Sequence, residues 1–279
     1  MSNRDRSEGW RYAKISGHEN ELLVNEKLIQ NSEFQKSFLS RFDRECEYII
    51  SSAIGGINET DVDGINGIKT KSKTDLSILL SNEELINISI KKSTGGQAYL
   101  IGGNAFIETF ENQFNNEVPT EIKRAINLFW SEAEDALEII DAYGNKMIPN
   151  EYEQQIRHKS LNASTLLLYN QQLYNDLLIW FEDNMYDICK LVFSMGAAKS
   201  EEDWAHLLWY INLIEEEPLD SVFVIEDIAL KAVKFSKECT FYGSKNGGTT
   251  IQLPFGFVQW HQQRMQFHHS LYKISNLFQ

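Results

Sequence analysis

Isoleucine recurs at every second position of Leu85-Ile-Asn-Ile-Ser-Ile-Lys91, so Ile86, Ile88 and Ile90 share one face of an extended strand and Asn87, Ser89 and Lys91 the other. The run before it, Asp75-Leu-Ser-Ile-Leu-Leu80, is also strand-like, and the spacer Ser81-Asn-Glu-Glu84 is short enough to join the two as a β-hairpin. Further strands are predicted over Ala98 to Ile101, Ser221 to Ile225, Thr249 to Trp260 and Met265 to Ile274, with Pro254-Phe-Gly256 as punctuation. Gly55-Gly56, Asp61 to Gly67 and Gly95-Gly96 read as turns. Helical spacing dominates from Asn104 to Gly144 and from Leu161 to Met195. Ser16-Gly-His-Glu19 has the spacing of a capping box, which predicts a helix from about Gly17 into the forties, and Ser200-Glu-Glu-Asp203 predicts another helix start. The stretch from Leu166 to Phe193 is apolar around much of its circumference and reads as core or subunit interface. The fold class is α/β: a mixed β-sheet flanked by helices, with a helical insertion.

A chain of 279 residues with 42% hydrophobic positions can bury a sizeable core. Four prolines and no compositional break predict a single domain over 1–279. Its first stretch (1–115) carries the helix and hairpin, its second (116–217) is an acidic helical block, and its third (218–279) is strand-rich. Twenty-six Lys and Arg against 40 Asp and Glu give a net charge of −14, which argues against a generic polyanion binder. The distribution changes that picture. From Glu108 to Glu153 eleven acids face Lys123, Arg124 and Lys146, whereas the last 41 residues, from Cys239, contain no acid. Lys69, Lys71 and Lys73 form a basic island that alternation by two would place on one strand face, either as a solvated edge or as a phosphate contact. Cys46, Cys189 and Cys239 are odd in number and widely spaced, so neither a disulfide framework nor a cysteine zinc site is supported. The first residues lack an apolar signal segment, and the Leu177 to Phe181 run ends at Glu182 and Asp183, far short of the ~18 residues of a membrane span. The expected compartment is the cytoplasm.

The hairpin carries the chemistry. Its geometry lets Asp75, at the start of one strand, converge with Ser89 and Lys91 near the end of its partner. A carboxylate there can hold Mg²⁺ through oxygen, and a lysine can position or deprotonate an attacking water while offsetting phosphate charge. Those are parts for phosphodiester hydrolysis.

These residues resemble the PD-(D/E)XK nuclease superfamily. Thr74-Asp75 followed by Ser89-Ile-Lys91 is similar to its motif, in a variant with Ser89 at the second acid and Thr74 at the proline. Gly17-His-Glu-Asn-Glu21 resembles the Gly-x-x-x-Glu arrangement of the preceding helix, which makes Glu21 a further candidate acid. The resemblance covers about the first 115 residues, and the whole chain is most similar to type II restriction endonucleases. It implies Asp75, Lys91, Glu21 and Ser89 as catalytic residues, and Mg²⁺ held by Asp75 with Glu21 or an acid recruited from the following helix, Glu108 or Glu111, Glu108 being preferred. It also implies sequence-specific hydrolysis of double-stranded DNA by a homodimer whose symmetry mirrors a palindrome, with a cognate methyltransferase in the same system. Two alternatives stand beside it: a repair or phage-type nuclease that acts on DNA structure, and a non-catalytic DNA-binding protein of the same fold.

Other patterns weigh less. Asp61-Val-Asp-Gly-Ile-Asn-Gly67 lacks the bidentate Glu of a calcium loop, since Ser72 occupies the twelfth position, and reads as a turn. His268 and His269 are adjacent and point to opposite strand faces, which disfavours a zinc site with His261. No GxSxG, P-loop or GxGxxG fingerprint occurs. The acid-free tail combines Gln259, Gln262, Gln263 and Arg264 with aromatic residues; glutamine and arginine pair with adenine and guanine edges, so these residues are candidate DNA contacts, or else belong to a Gln-rich hairpin that closes the sheet. Lys92 and Gln97 are further candidate DNA contacts, Gln97 either as a support of the site or as a phosphate contact.

Overall fold

The structure, a computed structural model, describes residues 6–55, 61–130, 133–146, 149–215, 219–242 and 248–279, with side chains from residue 17 onward except residue 146. Its first elements are α1 (Arg6–Gln30), α2 (Ser32–Leu39), β1 (Ile49–Ile54), β2 (Asp61–Asp63), β3 (Lys69–Lys71), β4 (Leu76–Leu80), β5 (Leu85–Lys91) and β6 (Gly95–Ile101). A helical stretch follows: α3 (Gly103–Phe114), α4 (Thr120–Trp130), α5 (Ala136–Tyr143), α6 (Pro149–His158), α7 (Ala163–Tyr169), α8 (Gln171–Asp183) and α9 (Met185–Lys190). The chain then returns to strands: β7 (Leu207–Asn212), β8 (Leu219–Val224), α10 (Ile225–Lys234), β9 (Thr240–Tyr242), β10 (Thr250–Leu253), β11 (Gly256–His261), β12 (Arg264–Ser270) and α11 (Leu271–Asn276). Among the described residues no helix is long and apolar enough to cross a membrane.

Residues cluster into two compact units, Met1–Thr94 with Phe193–Asp227, and Gly95–Val192 with Ile228–Gln279. The first unit is built on a mixed sheet of order β1-β4-β5-β7-β8, antiparallel except where β5 and β7 run parallel. The alternation read from β5 is realised: Ile86, Ile88 and Ile90 are buried with Leu76, Ile78 and Leu80 of β4 beneath Val24 and Leu28 of α1. Phe38 of α2 stacks on Trp209 of β7 at 4.2 Å between ring centroids, and the indole Nε1 donates to Asp220 at 2.8 Å, so the largest ring of this core has its polar end satisfied. The hairpin turn closes with Leu80 N–H donating to Glu84 C=O at 2.9 Å, and Glu83 takes a left-handed φ of 68°.

The second unit joins helices α3 to α9 to an antiparallel sheet of order β6-β12-β11-β10-β9. One face buries Ile251, Leu253, Val258, Met265 and Phe267. Phe267 meets Phe106 of α3 at 5.6 Å, and Phe241 meets Phe129 of α4 at 5.2 Å, so the apolar stripes of the helices cover this face. At Gly256 a Cβ would stand 1.8 Å from His268 C=O, so the close approach of β11 to β12 requires glycine there.

Several expectations change. α1 already runs through Ser16, so no helix starts there; the break comes at Asn31, whose side chain accepts from Phe34 N–H at 3.0 Å and starts α2. Gly95-Gly96 opens β6 and Asp61–Asp63 is a strand; Gly56 lies outside the described residues. After Ser200 there is one 3₁₀ turn, and Leu207–Asn212, assigned to the helical block, is an inner strand of the mixed sheet. Its uninterrupted apolar run is the pattern of a strand buried on both faces, which period alone does not separate from a buried helix. The tail pairs with β6 in a separate sheet and adds no strand to the mixed one, and its last expected strand ends at Ser270, where α11 begins.

Candidate active site

The register of the hairpin pairs Leu76 with Ile88, which sets Asp75, one residue earlier, across from Ser89. Asp75 N–H donates to Ile88 C=O at 2.9 Å, fixing its backbone as an extension of β4. Its Oδ2 accepts from Ile90 N–H at 2.7 Å and from Ser89 Oγ at 3.3 Å; no described residue donates to Oδ1. Lys91 Nζ donates to Ser89 Oγ at 2.8 Å and to Ile90 C=O at 3.1 Å, and lies 3.8 Å from Asp75 Oδ2. An ammonium has three N–H groups, so one remains for a water or a phosphate oxygen. Ser89 supplies no charge here; it takes a hydrogen bond from the lysine and passes one to the aspartate, holding the two in a fixed relation.

Glu21 reaches the same place from α1. Asn20 beside it is fully buried, donating from Nδ2 to Ile211 C=O at 2.8 Å and accepting Leu213 N–H at 2.8 Å, so it mimics a strand neighbour at the end of β7. That clamp orients the buried face of α1, on which Glu21, Val24 and Leu28 follow. Glu21 is 9% exposed, and its carboxyl is raised to about 7, first by burial and then by the negative Asp75; a 3.3 Å contact with His18 Nδ1 and the charge of Lys91 oppose the rise. Glu21, lifted in part by the charge of Asp75, forms with it an oxygen-donor pair whose crowding a divalent cation would relieve.

The raised carboxyl fixes a pH dependence. An unfolded glutamate loses its proton near its usual 4.5, whereas folded Glu21 keeps it up to about 7, so across that window the folded state binds more protons and stability falls as pH rises. Melting temperatures in EDTA are expected to decline from about pH 5 to pH 7, less steeply in Glu21→Gln. An equal slope in the variant would assign the decline to other groups.

The other predicted residues have surroundings of their own. Lys69 and Lys71 alternate on β3 as expected, yet each is ion-paired across the β2–β3 hairpin, Lys69 with Asp63 at 2.6 Å and Lys71 with Asp61 at 2.7 Å. Lys73 does not share their strand: it lies past β3 with its Cε 3.0 Å from where a Gly196 side chain would begin, and burial, with Lys91 nearby, pushes its ammonium well below the usual range. The three lysines are therefore not one open basic strip. Lys92 pairs with Glu215 at 3.1 Å. Glu108 and Glu111 belong to α3 in the second unit; Glu108 is exposed, while Glu111 binds Lys123 at 2.7 Å and accepts Val118 N–H at 2.9 Å, which hold its carboxyl below the usual range. Gln262 and Gln263 form the two-residue turn between β11 and β12 with left-handed φ of 49° and 60°, and Arg264 beside them is exposed. Gln97, Gln259 and Gln266 join in a cross-strand amide ladder.

Sequence reasoning missed Asn20 and Tyr210. Tyr210 lies opposite Lys91 in the parallel β5–β7 register, fully buried, with its phenol raised by that burial. The apolar run Leu207 to Ile211 was the available signal for a strand there.

The site fits Mg²⁺ in kind. Among the described residues no group of three or more His, Cys, Asp and Glu is placed to hold a metal, but Mg²⁺ commonly takes one or two carboxylates and completes its shell with water and phosphate. Asp75 and Glu21 supply that number.

No protein-family model matches the chain, and no curated protein matches it. Among solved structures, the restriction endonuclease MspI in complex with its cognate DNA is similar at 15% identity, with a TM-score of 0.47 over 88% of this chain and 82% of that one.

Proposed function

We propose that this protein is a Mg²⁺-dependent endonuclease that hydrolyses phosphodiester bonds of double-stranded DNA at a specific sequence. The observation that carries the reading is the convergence of Asp75, Ser89 and Lys91 at the end of the hairpin with the raised carboxyl of Glu21 beside them. Asp75 and Glu21 would hold the cation, which when bound would supply Lewis-acid polarisation of the phosphate. Lys91, held by Ser89 and Ile90, directs its remaining N–H at the attacking water or a phosphate oxygen and offsets the charge that builds at phosphorus. Water oxygen bonds to phosphorus and releases a proton to solvent, the phosphorus–oxygen ester bond breaks, and the departing oxygen takes a proton from solvent.

Cutting both strands of a palindrome needs two such sites, so the working form is a homodimer in the cytoplasm. The exposed turn residues Gln262 and Gln263, together with Arg264, are proposed phosphate or base contacts. The test is incubation with unmethylated phage DNA and Mg²⁺, beside an EDTA control. Discrete fragments lost with EDTA are the expected result. A ragged digest would favour a nuclease that reads DNA structure. Intact DNA across several substrates, with retained binding, would leave a non-catalytic DNA-binding protein, the reading favoured by a neutral Ser89 in place of the second acid.

A further inference from the structure

The second sheet presents a face with an unusual composition. Alternation sets Phe257 and Gln259 of β11 beside Gln266 and His268 of β12 and Gln97 of β6, opposite to the face that buries Val258, Met265 and Phe267. The solvated face of an antiparallel sheet ordinarily carries charged side chains of both signs. Here none of the five strands contains Asp or Glu, in a chain whose net charge is −14. A polyanion meets no carboxylate on these strands, and exposed Arg264 stands at the end of the β11–β12 hairpin.

The amides on this face are arranged in series. Gln259 Nε2 donates to Gln266 Oε1 at 3.0 Å and lies 3.2 Å from His268 Nε2; Gln266 Nε2 donates to Gln97 Oε1 at 2.7 Å. His268 is stacked flat on Phe257 at 4.4 Å, so the far end of the series is anchored by a ring. Gln97 is the exposed end, on edge strand β6. In either donor sense of the ladder one contact is spent at Gln97, and its amide keeps both an N–H and an oxygen lone pair. A side chain held by neighbours with one donor and one acceptor free matches the N7 and N6 edge that adenine presents in the major groove, and β6 is the edge strand of its sheet. Its orientation is set before binding, which lowers the ordering cost.

We infer that the β6–β12 edge of this sheet reads duplex DNA in the major groove, with Gln97 pairing to an adenine and Gln266 acting as its positioning residue. The inference rests on the double-stranded DNA reading proposed above, and its test separates the two. The probe is a pool of randomised duplex DNA, selected for binding in EDTA by the wild-type chain, by Gln97→Ala, by Gln266→Leu and by the double variant of the two, with folding followed by circular dichroism melting. The wild type is expected to fix at least one A·T pair. Gln97→Ala should lose a preference on the order of 10- to 100-fold at that pair alone, and Gln266→Leu should weaken the same pair without further loss in the double variant. Should Gln266→Leu fail to fold, Gln97→Ala on the exposed edge still decides. A folded Gln97→Ala that selects the wild-type motif with undiminished strength overturns the inference, whether or not the chain cuts DNA. Selection of an adenine-containing motif that depends on Gln97, by a chain that cuts nothing in Mg²⁺, overturns the nuclease reading and supports this one. A wild-type pool with no preferred pair overturns the inference.

Discussion

Asp75→Asn is expected to reduce Mg²⁺-dependent cleavage by about a thousandfold or more, since loss of a metal-binding charge removes several kcal/mol of transition-state stabilisation and ~4 kcal/mol is that factor. The substitution is conservative in shape. An asparagine Oδ1 can still accept Ile90 N–H, the bond that ties the start of β4 to the end of β5, so the hairpin is expected to survive. A second consequence is electrostatic. The negative charge of Asp75 is one of the two causes that lift Glu21, so the Glu21 carboxyl should drop below about 7 in the variant, burial alone sustaining the remainder. Single-turnover cleavage and a carboxyl-carbon NMR titration of Glu21 measure the two effects. Cleavage within tenfold of wild type would remove Asp75 from the site, and an unmoved Glu21 would show that the two carboxylates are not coupled.

Lys91→Met should cost about a hundred- to a thousandfold in turnover, the range seen when one preorganised donor to a developing anion is removed. Methionine keeps an unbranched chain in the same half-buried groove but has no N–H for water or phosphate. Ser89 Oγ and Ile90 C=O each lose one hydrogen bond, so a stability loss of roughly 1–2 kcal/mol is expected. DNA affinity should change little, because one cation among many phosphate contacts carries a small share of binding. Turnover at saturating Mg²⁺ beside equilibrium binding in EDTA separates these quantities. Equal loss in binding and turnover would make Lys91 a phosphate anchor only, and unchanged turnover would exclude it from the reaction.

The hairpin part of the candidate site was legible because it is local. Period-two alternation placed Ile86, Ile88 and Ile90 on the core side and Ser89 and Lys91 on the other, and a short turn brought Asp75 opposite Ser89; all of this lies within one hairpin. Glu21 was reached by resemblance, whereas the helix start read from Ser16 and Glu19 is not there, since α1 already runs through both. The buried orientation of Glu21 is set by Asn20, whose partners are Ile211 on β7 and Leu213 just past its end, in a segment that the local pattern read as helix.

By itself, then, the sequence determined the elements whose signal is short-range: the hairpin and its faces, the helical middle, the strands of the tail and the absence of acid beyond Cys239. The tertiary structure alone decided the rest. It inserted Leu207–Asn212 parallel to β5, paired Lys69 and Lys71 with Asp63 and Asp61, packed Lys73 against Gly196, and joined the tail to β6 in a second sheet. Each of these joins segments distant in sequence or turns on which charge finds a partner, and local propensity carries no term for either; burial of apolar faces and satisfaction of buried hydrogen bonds across the whole chain select them.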